Sequence, residues 1–125
     1  MNRTILIVDD EAHLRMLIQQ TLEELEDEGV ELLMASNGEE ALATIEAVKP
    51  NLVFLDVMMP KLSGFDVCSH AKQTLGLKDV YIVLLTAKGQ EFDRQRGQEV
   101  GADLYMTKPF DPDALLQKAR DVLGM

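Results

Sequence analysis

Cysteine is almost missing from this chain: Cys68 is the only one. An internal disulfide is therefore excluded, which suits a reducing compartment and a cytoplasmic location. Its setting, "GFDVCSHAK", reads as an amphipathic helix with the thiol in the core. Cations are scarce too, with 12 Lys and Arg against 22 Asp and Glu and a net charge of −10. A polyanion would be repelled by such a chain, so direct nucleic-acid binding is not expected. No apolar run approaches the ~20 residues of a membrane span, and no membrane insertion is expected. The first 20 residues mix acids with bases and lack a small-residue cleavage site, so no signal peptide is expected. Linkers, internal repeats and low-complexity stretches are lacking as well. What remains is 125 residues, 46 % of them hydrophobic, the size of a single domain. Such a domain can bury roughly two-thirds of its unfolded surface.

Five apolar segments stand out: "TILIV" (4–8), "ELLMA" (31–35), "LVFL" (52–55), "VYIVLL" (80–85) and "LYM" (104–106). Most are continuous rather than alternating, the pattern of parallel strands covered on both faces. Helical spacing fills the gaps. Residues 11–26 place Leu14, Leu17, Ile18, Leu22 and Leu25 along one face. Asn37 and Glu40 stand at capping-box spacing ahead of a second helix that runs to Val48 and stops before Pro50. A third helix is predicted from about Gly64 to Thr74 and a fourth from about Gln90 to Val100. The fifth opens with Asp111 as N-cap and Pro112 in the first turn, with Leu115, Leu116, Ala119 and Val122 inward. Gly97 falls inside the fourth helix at a cost of up to ~1 kcal/mol relative to alanine, so this helix should be the least firmly held. The acidic run "EELEDE" (23–28) reads as a solvated helix end. Five strand–helix repeats predict one α/β domain with a parallel sheet and helices on both faces.

The residues that follow the apolar runs carry the chemistry. Asp9 and Asp10 follow the first, Asp56 the third, Thr86 the fourth, and Thr107 and Lys108 the fifth. In an open parallel sheet the carboxyl ends of the strands share one edge, and ligands bind in the crevice beyond it. Three carboxylates gathered there repel one another, and one lysine cannot neutralise them. A hard divalent cation would, and Mg²⁺ suits few protein ligands and several retained waters. Histidine and cysteine are lacking at these strand ends, which disfavours zinc. A cation beside Asp56 would attract a phosphate, with Asp56 as nucleophile and Lys108 and Thr86 on the phosphoryl oxygens. Singly, each acid could be a turn residue, and Asp10 could cap the first helix. The whole set argues for a site.

With those residues in view, the chain resembles the receiver domains of two-component response regulators. "ILIVDDE", "LVFLDVMMPKLSGFDV", "VLLTAKG" and "GADLYMTKPF" resemble the four signature blocks of that family, in order, across residues 1–125. The resemblance implies a flavodoxin-like (βα)5 doubly wound fold with strand order 2-1-3-4-5. It implies that Asp56 is the phosphoacceptor, and that Asp9, Asp10, Asp56 and the Met58 backbone carbonyl hold Mg²⁺, for which Mn²⁺ could substitute. Thr86 and Lys108 match the residues that contact the phosphoryl group, and Lys108–Pro109 matches the family's cis peptide. Thr86 and Tyr105 match its switch pair, Gly64 the glycine of the loop after the acceptor, and Ala87 a small residue that leaves the phosphoryl group accessible. The resemblance also implies that Met58 and Lys88 occupy positions that vary within the family and tune dephosphorylation.

The implied function is that of a phosphoacceptor regulator, not a turnover enzyme. A histidine kinase or histidine phosphotransfer protein would donate to Asp56. The surface of the fourth helix, fifth strand and fifth helix would then change toward a downstream protein target. Met16, opposite the apolar face of the first helix, is a candidate for kinase docking; His13 and His70 should face solvent. The chain ends where a fifth helix should finish, as expected of a stand-alone receiver and equally of a domain excised from a longer regulator or hybrid kinase. Three rivals are weaker. A haloacid-dehalogenase-type phosphohydrolase would carry an acid two residues after its nucleophile, where this chain has Met58. A flavin or nucleotide carrier would need a phosphate cradle after the first strand, where "VDDEAH" places carboxylates. An inert interaction module would not be expected to keep the acids, Thr86 and Lys108 together.

Overall fold

The apolar runs become β1 (Arg3–Val8), β2 (Val30–Ala35), β3 (Leu52–Asp56), β4 (Tyr81–Ala87) and β5 (Leu104–Lys108) in a computed structural model that describes residues 3–87 and 91–125. All pairings are parallel, in the order β2-β1-β3-β4-β5, as expected of a flavodoxin-like doubly wound sheet. Between the strands lie α1 (Ala12–Thr21), α2 (Glu23–Asp27), α3 (Gly38–Val48), α4 (Gly64–Ser69), α5 (Glu91–Glu99) and α6 (Pro112–Leu123).

Because side chains alternate across a strand, a continuous apolar run supplies two cores at once. Leu6, Val8, Val53, Leu55, Ile82 and Leu84 face one layer with α3 and α4 residues such as Ala41, Ile45 and Val67. Ile5, Ile7, Phe54, Val83 and Leu85 face the other with Ile18, Leu22, Leu25, Leu115 and Ala119 of the α1, α2 and α6 region. Each large side chain so buried contributes about 1.5–3 kcal/mol. The two edge strands depart from the pattern: in β2 Glu31 and Met34 are exposed, and Leu104, Tyr105 and Met106 in β5 are only half-buried. An edge strand has one neighbour and looser cover.

The first helical stretch does not run unbroken. It pauses at Leu22, whose buried side chain and non-helical backbone separate α1 from α2. Leu17, expected on the inner face, is 44 % exposed, whereas Leu22 and Leu25 are fully buried. The third predicted helix changes type, since α4 passes directly into a π-helical turn, His70–Thr74. Neither change leaves a signature in apolar spacing alone. In α6, Leu116 and Val122 are half-buried while Leu123 closes the inner face.

Caps explain the helix starts. Asn37 accepts a hydrogen bond from Glu40 N at 2.8 Å, but the Glu40 carboxylate turns to the Ser36 hydroxyl, so only half of the expected box forms. A complete box occurs instead at Ser63 and Asp66, ahead of α4. Asp111 caps α6 by accepting from Asp113 N, with Pro112 next in line. The acidic run 23–28 is more than a solvated end, because Glu24 and Glu28 both pair with Arg120 of α6. Cys68 is fully buried, and burial pushes its thiol up to about 12. Among the described residues no helix is long and apolar enough to cross a membrane.

Candidate functional site

The carboxyl ends of β1, β3 and β5 deliver Asp9, Asp56 and Lys108 to one rim, and Asp10 follows Asp9. Asp9 is 0 % exposed and Asp56 2 %, while Asp10 lies open to solvent. One carboxylate oxygen from each of the three acids lies within 4.8 Å of the others. Lys108 Nζ donates to Asp56 Oδ1 at 2.8 Å and stands 3.6 Å from Asp9 Oδ2. Asp9 Oδ1 accepts from Glu11 N at 2.9 Å, so Asp9 ties the turn into α1; the N-cap there is Glu11, not Asp10. Arg15 also holds this turn, donating from Nη1 to the Asp9 carbonyl at 2.6 Å.

Burial pushes the Asp56 carboxyl from 3.8 up to about 6, against the pull of the Lys108 hydrogen bond, and the charge of Asp9 adds to the rise. Asp9 is raised as well, chiefly by burial, with the Glu11 N–H and Lys108 opposing. For Lys108 burial acts downward, but the hydrogen bond to Asp56 and the charges of Asp56 and Asp9 hold its ammonium above the usual lysine range. The acids thus outnumber their cation, and Asp9 Oδ2 is buried without a hydrogen-bond partner.

That donor set fits Mg²⁺. Mg²⁺ takes hard oxygen donors, and three carboxylates converge here. The orphaned Asp9 oxygen would gain a partner, and exposed Asp10 leaves room for retained water. The cluster contains no histidine or cysteine, the donors zinc prefers.

Other predicted site residues fall into place unevenly. Asp56 pairs with Leu85 in the β3–β4 register, so buried Thr86 follows at the same end of the neighbouring strand. Thr86 in turn pairs with Thr107, one residue before Lys108. Tyr105 sits three residues back from Lys108, opposite Leu84. The Met58 backbone N–H exerts a small downward pull on the Asp56 carboxyl, and the Met58 side chain is 72 % exposed. The Lys108–Pro109 peptide bond is cis. Met16 on α1 is 57 % exposed, and His13 and His70 are exposed. Lys88 and Gln90 lie outside the described residues.

Gly64 has a steric reason to be glycine. Its N–H donates to Val57 O, and a β-carbon there would stand 2.3 Å from the Asp56 carbonyl oxygen and 2.9 Å from Val57 Cα. The loop can fold back over the Asp56 backbone only without a side chain. Two features escaped the sequence reading. Arg15 left no signal, because its partner is a main-chain carbonyl. The Ser63–Asp66 box did leave one, in the Ser-x-x-Asp spacing ahead of "FDV".

Residues 5–120 match the family described as response regulator receiver domain. The chain belongs to that family. This receiver domain is 46 % identical over 123 residues to the alkaline phosphatase synthesis transcriptional regulatory protein PhoP of Bacillus subtilis, covering 98 % of this chain and 49 % of that protein. It is 45 % identical over 121 residues to the phosphate regulon transcriptional regulatory protein PhoB of Pseudomonas aeruginosa, covering 97 % of this chain and 52 % of that protein. The receiver therefore spans about half the length of these curated relatives. Among solved structures it resembles the chemotaxis protein CheY4 of Vibrio cholerae, with a TM-score of 0.84, 31 % identity, and coverage of 98 % and 99 % of the two chains.

Proposed function

We propose that this receiver domain accepts a phosphoryl group on Asp56 from a phosphohistidine of a histidine kinase or phosphotransfer protein, and relays the change to a downstream protein target. The observation that carries the reading is Lys108 Nζ 2.8 Å from Asp56 Oδ1, beside carboxylates of Asp9 and Asp10. A buried acid ringed by other acids and held by a single ammonium suits charge-driven phosphoryl transfer better than it suits the stability of the fold.

In the transfer, an Asp56 carboxylate oxygen bonds to phosphorus as the phosphorus–nitrogen bond breaks; the electron pair stays on the departing imidazole nitrogen, which takes a proton from water. Asp9, Asp10, Asp56 and the Met58 carbonyl are the residues to hold Mg²⁺, or Mn²⁺ in its place. The ion, when bound, supplies positive charge for the clustered carboxylates and the phosphoryl oxygens. Lys108 moves its hydrogen bond from the free carboxylate to the phosphoryl group, and Thr86 donates its hydroxyl to another oxygen. Phosphorylation adds about −1.5 to −2 of charge at this rim. Thr86, drawn toward it, vacates room that Tyr105 enters, and the face of α5, β5 and α6 changes shape. The domain acts as a regulator that catalyses only its own modification and the slow loss of it. Its acidity supports output by protein contact rather than by contact of this domain with DNA.

Intact-mass measurement after incubation with acetyl phosphate tests this. A single phosphoryl adduct should form with Mg²⁺, not with chelator, and not on Asp56→Asn. Full labelling of that variant would overturn the proposal.

A further inference from the structure

We propose that Gly97 is the residue that gives the Tyr105 ring its place, so that position 97 sets how far this side chain can lie inward. The regulatory meaning rests on the reading of Tyr105 as a switch; the contact itself does not. Gly97 is buried within α5, and a β-carbon there would stand 3.2 Å from Leu84 Cδ1 and 3.4 Å from Tyr105 Cδ2. The nearest atoms are side-chain atoms, so an added methyl group is resisted by the two side chains, not by backbone. Leu84 is fully buried on a central strand and has little room to yield. Tyr105 is half-buried on edge strand β5, beside a cavity of about 280 Å³ lined by Gly97, Gln98, Ala102, Asp103, Leu104 and Tyr105 itself. The ring is the part that can move.

Retreat of α5 would be the other way to relieve the contact, and its carboxyl end is tied down. From α4 and its π-helical turn, Cys68 Sγ donates to Val100 O at 3.6 Å and Gln73 Nε2 to Glu99 O at 2.8 Å. Lys72 Nζ pairs with Asp103 at 2.7 Å, and the same carboxylate oxygen accepts from Ile82 N. One residue before Gly97, the Arg96 guanidinium lies 5.2 Å from the centre of the Phe65 ring. These ties hold the second half of α5 against the sheet, so a larger residue at 97 is accommodated by displacing Tyr105. What looks in the sequence like a weakness of the helix is the slot against which the ring rests.

Two tyrosines and no tryptophan make the test direct. In a Tyr81→Phe background, Tyr105 is the sole fluorophore. Adding Gly97→Ala should raise acrylamide quenching of the unmodified protein about twofold as the half-buried ring becomes exposed. Superimposable quenching with and without the substitution would overturn the proposal. A second measurement guards against a folding effect. Gly97→Ala should lower the urea midpoint further when Tyr105 is present than in a Tyr105→Ala background, where the Leu84 contact and helix propensity alone act. An equal change in both backgrounds would also overturn it. Acetyl phosphate separates the two readings: in the glycine-97 protein, quenching should fall once mass measurement shows the adduct. Quenching that stays constant despite labelling ends the switch reading, while the contact is still judged on the unmodified protein.

Discussion

Asp56→Asn should make the metal-free protein more stable at neutral pH, although it removes the residue on which the function depends. The folded-state carboxyl titrates at about 6 instead of 3.8, raised by burial first and by Asp9 as well. An acid held above its usual range loses stability for the fold as it ionises. Below pH 3.8 both states keep the proton; between 3.8 and about 6 the unfolded chain has released a proton that the folded chain retains; above that the penalty is complete. At about 1.4 kcal/mol per pH unit, the complete penalty is about 3 kcal/mol, of which about half is already present at pH 5. Asparagine keeps the shape without the charge, and the loss of the Lys108 ion pair is already contained in the net rise of the carboxyl, so the gain at pH 7.5 should be about 2–3 kcal/mol. Urea denaturation with chelator present, at pH 5 and pH 7.5, measures it. The stability gap between variant and parent should widen by about 1 kcal/mol from the lower pH to the higher. Millimolar Mg²⁺ should then stabilise the parent and leave the variant nearly unchanged. A variant less stable than its parent at pH 7.5, or a gap that ignores pH, would refute the reasoning.

Lys108→Met removes the cation from two buried acids and should cost about 2–3 kcal/mol at pH 7.5, less at pH 5, where Asp56 takes up a proton; urea midpoints at the two values check it. Gly64→Ala drives a β-carbon into the Asp56 backbone and should cost at least about 2 kcal/mol, and it should reduce acetyl phosphate labelling in the fraction that folds. Cys68, buried and with its thiol raised to about 12, should react with a thiol reagent at pH 8 only as fast as the protein unfolds; rapid labelling of the native protein would contradict its placement.

Much of this was legible beforehand because strand and helix periods are local. Continuous runs such as "LVFL" had to be inner parallel strands, and the polar residue after each had to fall on the shared edge. Asp9, Asp10, Asp56, Thr86 and Lys108 could therefore be singled out together. Legibility failed where a residue answers to a distant neighbour. Leu17 has the right spacing for the core, yet it is exposed while Ile18, Leu22 and Leu25 turn inward. Glu24 and Glu28 look like solvated charges until Arg120, more than 90 positions away, is seen beside them. Gly97 reads as a defect until Leu84 and Tyr105 are packed against it.

The order of residue types along the chain was enough to determine five strand–helix units and which side chains would crown the sheet. Which of the three acids would be buried, how closely Lys108 would approach Asp56, and which glycines would be pressed against other atoms were decided only by the tertiary structure. Periodicity depends on neighbours a few bonds away. Desolvation and close packing depend on distances between segments that the chain brings together only when it folds.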